Sequence, residues 1–146
     1  MNGNLTREDA VKLAQAALAA HNIEGSPGLN EHNYGGFDDG AQPVVFEYLP
    51  DRKVLNVLAL CYRFRQPPRP AILEAFQREG QLGTDTGGGT VEFRSENGGL
   101  FLSRSYTQTT DAARFVEDTN KLAQAAKYWA EDVLPAVASR VFGHEK

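Results

Sequence analysis

The run Lys53–Phe64, KVLNVLALCYRF, constrains the fold more than any other part of this sequence. Side chains alternate between the two sides of a β-strand. One side of this strand holds five apolar residues: Val54, Leu58, Leu60, Tyr62 and Phe64. The other side holds four: Leu55, Val57, Ala59 and Cys61. Antiparallel sheets usually leave one face in water, so a strand that is apolar on both sides predicts a sheet that needs cover on both faces.

The hydrophobic pattern predicts three helices and five strands. We expect helices at residues 7–21, 70–79 and 111–142, and strands at residues 29–34, 44–49, 53–64, 91–95 and 100–106. Thr6 and Thr110 are the expected N-caps of the first and last helices. Gly80 should end the second helix, and Pro135 should interrupt the last because it lacks a backbone N–H.

The last two strands are expected to form a hairpin. Asn97-Gly98 is a strong turn signal between alternating runs. A two-residue turn at this pair places Phe93 opposite Leu102 and Arg94 opposite Phe101.

The resulting order is α-β-β-β-α-β-β-α, which is typical of an α+β fold with a twisted antiparallel sheet and helices packed on it. The chain has 146 residues, of which 41% are hydrophobic and 23% charged, an ordinary globular composition. We therefore expect one domain that spans residues 1–146.

Charge and cysteine content narrow the class of protein. A net charge of −4 lacks the basic footprint of a nucleic-acid-binding protein, and it also disfavours an anionic membrane surface. The single cysteine cannot form an internal disulfide. The N-terminus lacks the apolar core of a signal peptide, and no apolar run is long enough to span a bilayer. We expect a cytoplasmic protein with no nucleic-acid or membrane partner.

The sequence contains no strong motif for metal binding or for an activated nucleophile. The three histidines are not spaced as zinc ligands: His21, His32 and His144. The acidic group Glu31, Asp38 and Asp39 does not match an EF-hand loop, so a solvated turn is expected. Cys61 lies among apolar residues in the middle of a strand, where cysteines are usually inert.

Two glycine-containing motifs also carry little chemistry. Asp85-Thr86-Gly87 has the residues of the aspartic protease triplet but not its flanking apolar strand. The run Gly87–Gly89 enters a strand and lacks the lysine of a P-loop, so we expect a flexible connector. We therefore expect no enzyme and no cofactor. A small hydrolase that uses Asp85 or the Asp38/Asp39 pair is the alternative from this class.

Several segments resemble the class I type III secretion chaperones, the family that includes the Tir chaperone. The segment DAARFVEDTNKLAQAAKYWAEDVLPAV is similar to the closing helix of that family, with Ala126, Trp129 and Val133 in its recurring stripe. LAAHNIEG resembles the end of the family's first helix. LEAFQREG and TVEFRSENGGLFLSRSY resemble its second helix and second hairpin. The YbjN-like proteins share this fold, and they imply the alternative of a cytoplasmic regulatory or scaffold domain without a secretion client.

The resemblance implies a homodimer that binds the N-terminal segment of a secreted effector and keeps it ready for export, without ATP or a metal. In the family, the short middle helix and a neighbouring strand form the two-fold interface. The corresponding dimer residues are Ile72, Leu73, Phe76, Val91 and Phe93. The expected client-binding residues are Phe101, Leu55, Val57, Tyr62 and Phe64.

These expectations explain how a strand with two apolar sides could be buried on both faces of the sheet. The first and last helices can cover one face of the sheet, and a second subunit, the short helix or a client would close the other. Full burial of one Val, Leu or Phe is worth roughly 1.5–3 kcal/mol, so exposed residues of this kind favour association. Arg63, Arg65 and Arg69 form a basic cluster that would either meet an acidic partner segment or remain solvated.

Overall fold

The computed structural model describes residues 3–38 and 42–143, which form an antiparallel sheet with helices packed on it. The helices are α1 (Arg7–Ala20), α2 (Pro70–Gln81), α3 (Ala112–Tyr128) and α4 (Leu134–Gly143), with a π-helical turn at Trp129–Val133. The strands are β1 (Tyr34–Phe37), β2 (Val44–Leu49), β3 (Val54–Arg63), β4 (Thr90–Arg94) and β5 (Gly99–Tyr106), in the sheet order β1-β2-β3-β5-β4. The predicted α+β fold is confirmed. None of the helices in this part of the chain is long and apolar enough to cross a membrane.

The ends of α1 follow the sequence signals. Thr6 is the N-cap, and its hydroxyl accepts a hydrogen bond from the Asp9 backbone N–H at 3.1 Å. Just beyond the helix, Asn22 has a φ of +64°, the left-handed conformation that ends many helices.

The segment 29–34 was predicted as a strand, and this prediction is wrong except at its last residue. The side chain of Asn30 accepts hydrogen bonds from the backbone N–H groups of His32 and Tyr34, at 2.8 and 3.1 Å. This local turn uses donors that a strand would offer to its neighbour. The strand β1 therefore begins only at Tyr34.

The predicted hairpin forms, but its register differs by two residues. Phe93 lies opposite Leu100, and Arg94 lies opposite Gly99. The backbone N–H of Gly98 donates to the Arg94 carbonyl at 2.9 Å, which closes a four-residue loop instead of a two-residue turn. A shift of two residues leaves every side chain on the predicted face.

Gly80 does not end α2, which continues to Gln81. A Cβ atom at Gly80 would lie 2.8 Å from a methyl carbon of Val91. This glycine is therefore explained by the close packing of α2 on β4. The left-handed residue after the helix is Gly83, with a φ of +91°.

The predicted interruption of the last helix is confirmed, and it takes the form of the π-helical turn. The backbone N–H of Leu134 donates to the Trp129 carbonyl, five residues earlier. This wider turn immediately precedes Pro135, which has no N–H to donate and whose ring crowds the preceding turn. The N-cap of α3 is Asp111 and not Thr110.

The helices pack on one side of the sheet, which we call the helical face. This face contributes Phe46, Leu55, Val57, Leu100 and Leu102 to the core. From the helices come Phe115, Leu122 and Trp129, which are all fully buried. The helix α3 lies over β3 and β5, and its Phe115 ring reaches to within 6.0 Å of the Phe46 ring on β2.

No described helix packs on the opposite side of the sheet, which we call the bare face. It carries Val45, Glu47, Leu58, Leu60, Phe101 and Ser103. Leu58 and Phe101 are nevertheless 2% and 4% exposed. The sheet therefore buries Leu58 and Phe101 without a helix.

An ion pair across the bare face accounts for this burial. The Arg94 guanidinium on β4 donates to both carboxylate oxygens of Glu47 on β2, at 2.8 and 3.0 Å. Flat strands are spaced by about 4.8 Å, and two strands separate β2 from β4, so the sheet must curve around its bare face to let this pair form.

This closure corrects one expectation from the sequence. A second subunit, the short helix or a client was expected to cover this face. Instead, α2 packs on the helical face through Ile72 and Phe76, and side chains of the sheet close the bare face. The run Lys53–Phe64 is thus accommodated within one chain.

Candidate functional site

An apolar groove opens at the end of β3, on the helical side of the sheet. It has a volume of about 440 Å³. One wall comes from the end of β3 and the loop after it, with Tyr62, Phe64, Pro67, Pro68 and Arg69. The floor and the second wall come from α2, the π-helical turn and α4, with Ile72, Phe76, Ala130, Leu134, Pro135, Ala138 and Phe142.

Two rims of the groove carry aromatic rings that face solvent. Tyr62 is 51% exposed and Phe142 is 42% exposed, and both are among the exposed large hydrophobic residues of the described chain. The Tyr62 ring packs edge-on against Phe64, with centroids 4.8 Å apart. The groove therefore presents preformed apolar surface to a ligand or partner.

A β-bulge places Tyr62 in this groove. Leu60 lies opposite Phe101, whereas Tyr62 lies opposite the next residue along β5, Leu100, so Cys61 is the extra residue. Leu100 faces the helices, and the bulge thus moves Tyr62 from the predicted bare side to the helical side. The expected alternation of β3 is wrong from this point onward.

Prolines and the π-helical turn shape the walls. Pro67 and Pro68 end the sheet segment, and Pro70 occupies the first turn of α2, where a missing N–H leaves no bond unmade. On the opposite wall, Pro135 follows the π-helical turn. These residues restrict the backbone, so the groove does not depend on long, mobile loops.

The groove carries a single sign of charge. Among the described residues that line it, Arg69 is the one charged side chain, and its guanidinium lies 5.4 Å from the centroid of the Phe142 ring. Arg63, just before this wall, donates to the Asn97 carbonyl at 2.9 Å. The arginine cluster predicted from the sequence therefore borders an apolar surface.

The structure separates the five predicted client-binding residues. Tyr62 and Phe64 line the groove, where a partner can reach them. Leu55 and Val57 lie in the core under the helices. Phe101 lies on the bare face and is buried there. A client could contact these last three residues only if the chain rearranged.

The predicted dimer residues are also divided. Ile72 and Phe76 point into the chain, where they form the floor of the groove. Leu73 and Phe93 are half-buried at the edge of the core, and Val91 is buried on β4. Among the described strands, β4 pairs with β5 alone, so its outer edge is open to another strand.

Sequence reasoning missed the part of the groove that comes from the last helix. Ala130, Leu134 and Ala138 are spaced by four residues, and they form a second apolar stripe beside the predicted stripe of Ala126, Trp129 and Val133. This spacing and the small size of the alanines were the available signals. The predicted stripe is buried, as expected.

The motifs considered for catalysis have structural roles. Asp85 accepts a hydrogen bond from the Gly87 N–H at 2.9 Å, and its carbonyl accepts one from the Trp129 indole at 2.7 Å. A Cβ atom at Gly87 would lie 2.6 Å from the Lys121 carbonyl oxygen, so the connector is packed and not loose. Burial raises the pKa of the Cys61 thiol to about 12, which keeps it protonated and unreactive at neutral pH.

The described acidic and histidine residues do not gather into a metal site. Within residues 3–38 and 42–143, no group of three His, Cys, Asp or Glu side chains could hold a metal ion. His21 stacks on Phe37 with centroids 4.2 Å apart, and His32 lies 3.4 Å from Glu31. Asp39 and His144 lie outside the described residues.

Two solved structures contain chains with this fold. A chain in the crystal structure of the ExsC–ExsE complex is 15% identical, with a TM-score of 0.66, and the match covers 88% of this chain and 96% of that chain. A chain in the structure of the HopA1–SchA chaperone–effector complex is 12% identical, with a TM-score of 0.58 and coverage of 88% and 99%. No family model and no curated protein matches the sequence. The fold is that of the class I type III secretion chaperones, as the resemblance predicted.

Proposed function

We propose that this protein is a non-catalytic chaperone that binds an apolar segment of a secreted effector protein in the groove at the end of β3. The observation that carries the proposal is this groove, which stands open in a chain with a secretion-chaperone fold. One of the structures with this fold is a chaperone–effector complex.

The groove can hold an unfolded segment by burying the apolar side chains of that segment against its own. Each large apolar side chain that becomes fully buried contributes roughly 1.5–3 kcal/mol, so a few such contacts suffice for stable binding. The exposed rings of Tyr62 and Phe142 would also lose their contact with water. Aromatic residues in such positions dominate many protein interfaces.

A chaperone role does not need chemistry, and the candidate reactive groups fit that role. The thiol of Cys61 is buried with a raised pKa, and Asp85 is engaged in a turn. We infer that the protein binds its effector without ATP or a metal. The bound region is the N-terminal segment of the effector, which the protein keeps competent for export.

We further propose that the protein acts as a homodimer through α2 and β4. The open edge of β4 supports this arrangement because an unpaired strand edge readily accepts another strand. Leu73 on α2 and Phe93 on β4 are half-buried in the single chain and could be covered further by a second subunit. Phe76, in contrast, is 3% exposed, so a substitution there would damage the core before it tested a dimer.

Co-expression with candidate effectors tests the binding role. Ala138→Arg places a long charged side chain in the groove, and Ala136→Arg places the same side chain on an exposed position of the same helix. We expect the effector to co-purify with the wild type and with Ala136→Arg, and to be lost with Ala138→Arg. Capture of the effector by a correctly folded Ala138→Arg variant would exclude the groove as the binding site.

Protease protection tests the function itself. We expect the N-terminal segment of the effector to resist proteolysis only in the complex. If no candidate effector co-purifies or gains protection, the secretion role fails. The regulatory or scaffold alternative then becomes the better interpretation.

Sedimentation of two α2 variants tests the dimer. Leu73→Asp introduces a charge at the proposed interface, and Ala71→Asp introduces the same charge at an exposed position nearby. We expect the first variant to shift toward monomer and the second to remain dimeric. A monomeric wild type would contradict the homodimer, and a dimeric Leu73→Asp variant would move the interface elsewhere.

A further inference from the structure

Most of the described lining of the groove offers no free backbone groups to a bound segment. The floor and one wall come from α2, the π-helical turn and α4, whose backbone groups are hydrogen-bonded mainly within the helices. The other wall contains Pro67 and Pro68, which have no N–H groups. The backbone N–H of Phe64 already donates to the Gly98 carbonyl at 2.8 Å.

This lack of partners discriminates between the forms that a bound segment can take. An extended segment would bury its own N–H and C=O groups in an apolar groove without partners, and each unpaired group is costly. A helix satisfies those groups internally and presents side chains three and four residues apart on one face. The helical walls therefore favour a helix, whereas an extended segment would pair more readily at the edges of the sheet, which are β1, β4 and the end of β3 beyond its last β2 partner.

The positive charge at the groove predicts acidic residues on one flank of the bound helix. Arg69 is the one charged residue among the described lining residues, although the whole protein has a net charge of −4. The adjoining depression, which shares Phe64 and Pro67 with the groove, is lined by both Arg65 and Glu96, so the positive charge at the groove itself comes from Arg69. A carboxylate beside the apolar face of the bound helix would meet this positive edge and form charge-assisted hydrogen bonds.

We propose that the segment bound in the groove is an amphipathic helix with Asp or Glu along the flank that faces Arg69. This inference rests on the proposed function and adds the form and the charge of the bound segment. Apolar residues at helical spacing enter between α2 and α4, and the acidic flank lies toward the end of β3.

Three synthetic peptides of about 18 residues, long enough for an isolated helix to be populated, test this proposal. The first carries Leu at positions i, i+3, i+4 and i+7 with Glu along one flank. The second has the same composition with Leu at every other position, and the third replaces each flanking Glu with Lys. Binding to the full-length protein is measured by fluorescence anisotropy. We expect the first peptide to bind at least about tenfold more tightly than either of the others.

Charge reversal identifies the contact. In Arg69→Glu, we expect the preference to invert, with the Lys peptide bound more tightly than the Glu peptide. Arg52→Glu, at an exposed position in the β2–β3 turn, should leave the wild-type preference unchanged. Equal or tighter binding of the alternating peptide would overturn the helical form, and an unchanged preference in Arg69→Glu would overturn the acidic flank.

The experiments distinguish a failure of the helix inference from a failure of the proposed function. If an effector is lost with Ala138→Arg but no helical peptide binds, the helix inference fails and the chaperone function stands. If the effector is captured equally by Ala138→Arg, the groove is not the binding site and the helix inference fails, whereas the chaperone function fails only if no effector is captured or protected.

Discussion

The bare face of the sheet and the groove both carry aromatic side chains, but only at the centre of the bare face, around Phe101, does the chain itself close the surface. Phe101 on the bare face is 4% exposed, whereas Tyr62 in the groove is 51% exposed. On the bare face, sheet curvature brings Arg94 and Glu47 together above the apolar residues. In the groove, helix backbones and prolines hold the walls apart.

This difference shows that apolar content alone does not locate a binding surface. A surface remains available for a partner when the chain has no means of burying it. The curved sheet can bury Leu58 and Phe101 because β2 and β4 approach across it. The wall between β3 and α2 cannot move in the same way because its backbone is restricted by proline.

The largest loss of stability is expected from Trp129→Ala on the helical face. The indole is 0% exposed, and its N–H donates to the Asp85 carbonyl. The loss should be about 3–5 kcal/mol of unfolding free energy, measured by chemical denaturation. The neighbouring Tyr128 is exposed, and Tyr128→Ala should change stability by no more than about 0.5 kcal/mol. Similar losses in the two variants would mean that the helix is rotated from its described position.

Phe101→Ala and Tyr62→Ala form the direct comparison between the bare face and the groove. Phe101→Ala should destabilise the protein by about 2 kcal/mol, less than a residue of the helical core, because this site can collapse more easily. Its effector binding should remain. Tyr62→Ala should change stability by about 0.5 kcal/mol but weaken binding. If Phe101→Ala weakened binding while Tyr62→Ala did not, the assignments of the two regions would be reversed.

Arg94→Met tests the ion pair that closes the bare face. It removes the main partner of the buried Glu47, so we expect a loss of about 1–3 kcal/mol and increased binding of a hydrophobic dye. The double variant Glu47→Leu/Arg94→Met leaves no buried charge and should recover part of this stability. Unchanged stability and dye binding in Arg94→Met would show that the pair does not hold the face closed.

The smallest expected effect is the pH dependence of the stability that the Glu47–Arg94 ion pair contributes. Hydrogen bonds from Arg94 lower the pKa of Glu47 below its ordinary value of 4.5, against the opposing effect of desolvation. A carboxylate whose pKa is lower in the folded state stabilises that state above the unfolded pKa. This stabilisation is lost as the pH falls from 4.5 through the folded pKa.

A comparison of the wild type with Glu47→Gln isolates this contribution. The difference between their unfolding free energies should be constant near neutral pH and should narrow as the pH falls below 4.5. Parallel curves over the whole acid range would mean that Glu47 is not stabilised by Arg94.

The sequence predicted the elements and the fold but not the arrangement that separates the bare face from the groove. Strong local signals succeeded: Thr6 caps α1, and Pro135 interrupts the last helix. The bulge at Cys61 could not be predicted because nothing in an alternating apolar run marks the extra residue. The pair of Arg94 and Glu47 depends on sheet curvature, which relates residues that are far apart in sequence.

The candidate site was also predicted only in part because it depends on contacts between residues that are far apart in sequence. Tyr62 and Phe64 were expected to meet a client, and they do lie in the groove. Their partners on α4 are seventy or more residues away, and only the tertiary packing brings them together. Leu55 and Val57 were selected because their strand is apolar on both sides, but the helices of the same chain cover them.

Site-specific photo-crosslinking compares the two regions most directly. Tyr62 lies in the groove and Tyr34 on the bare-face side of β1, and the two side chains have similar exposure, 51% and 47%. Benzoylphenylalanine can replace each tyrosine in turn, in protein co-expressed with a candidate effector. We predict a crosslink to the effector from position 62 and none from position 34. Crosslinking from position 34 alone would contradict the groove as the effector-binding site.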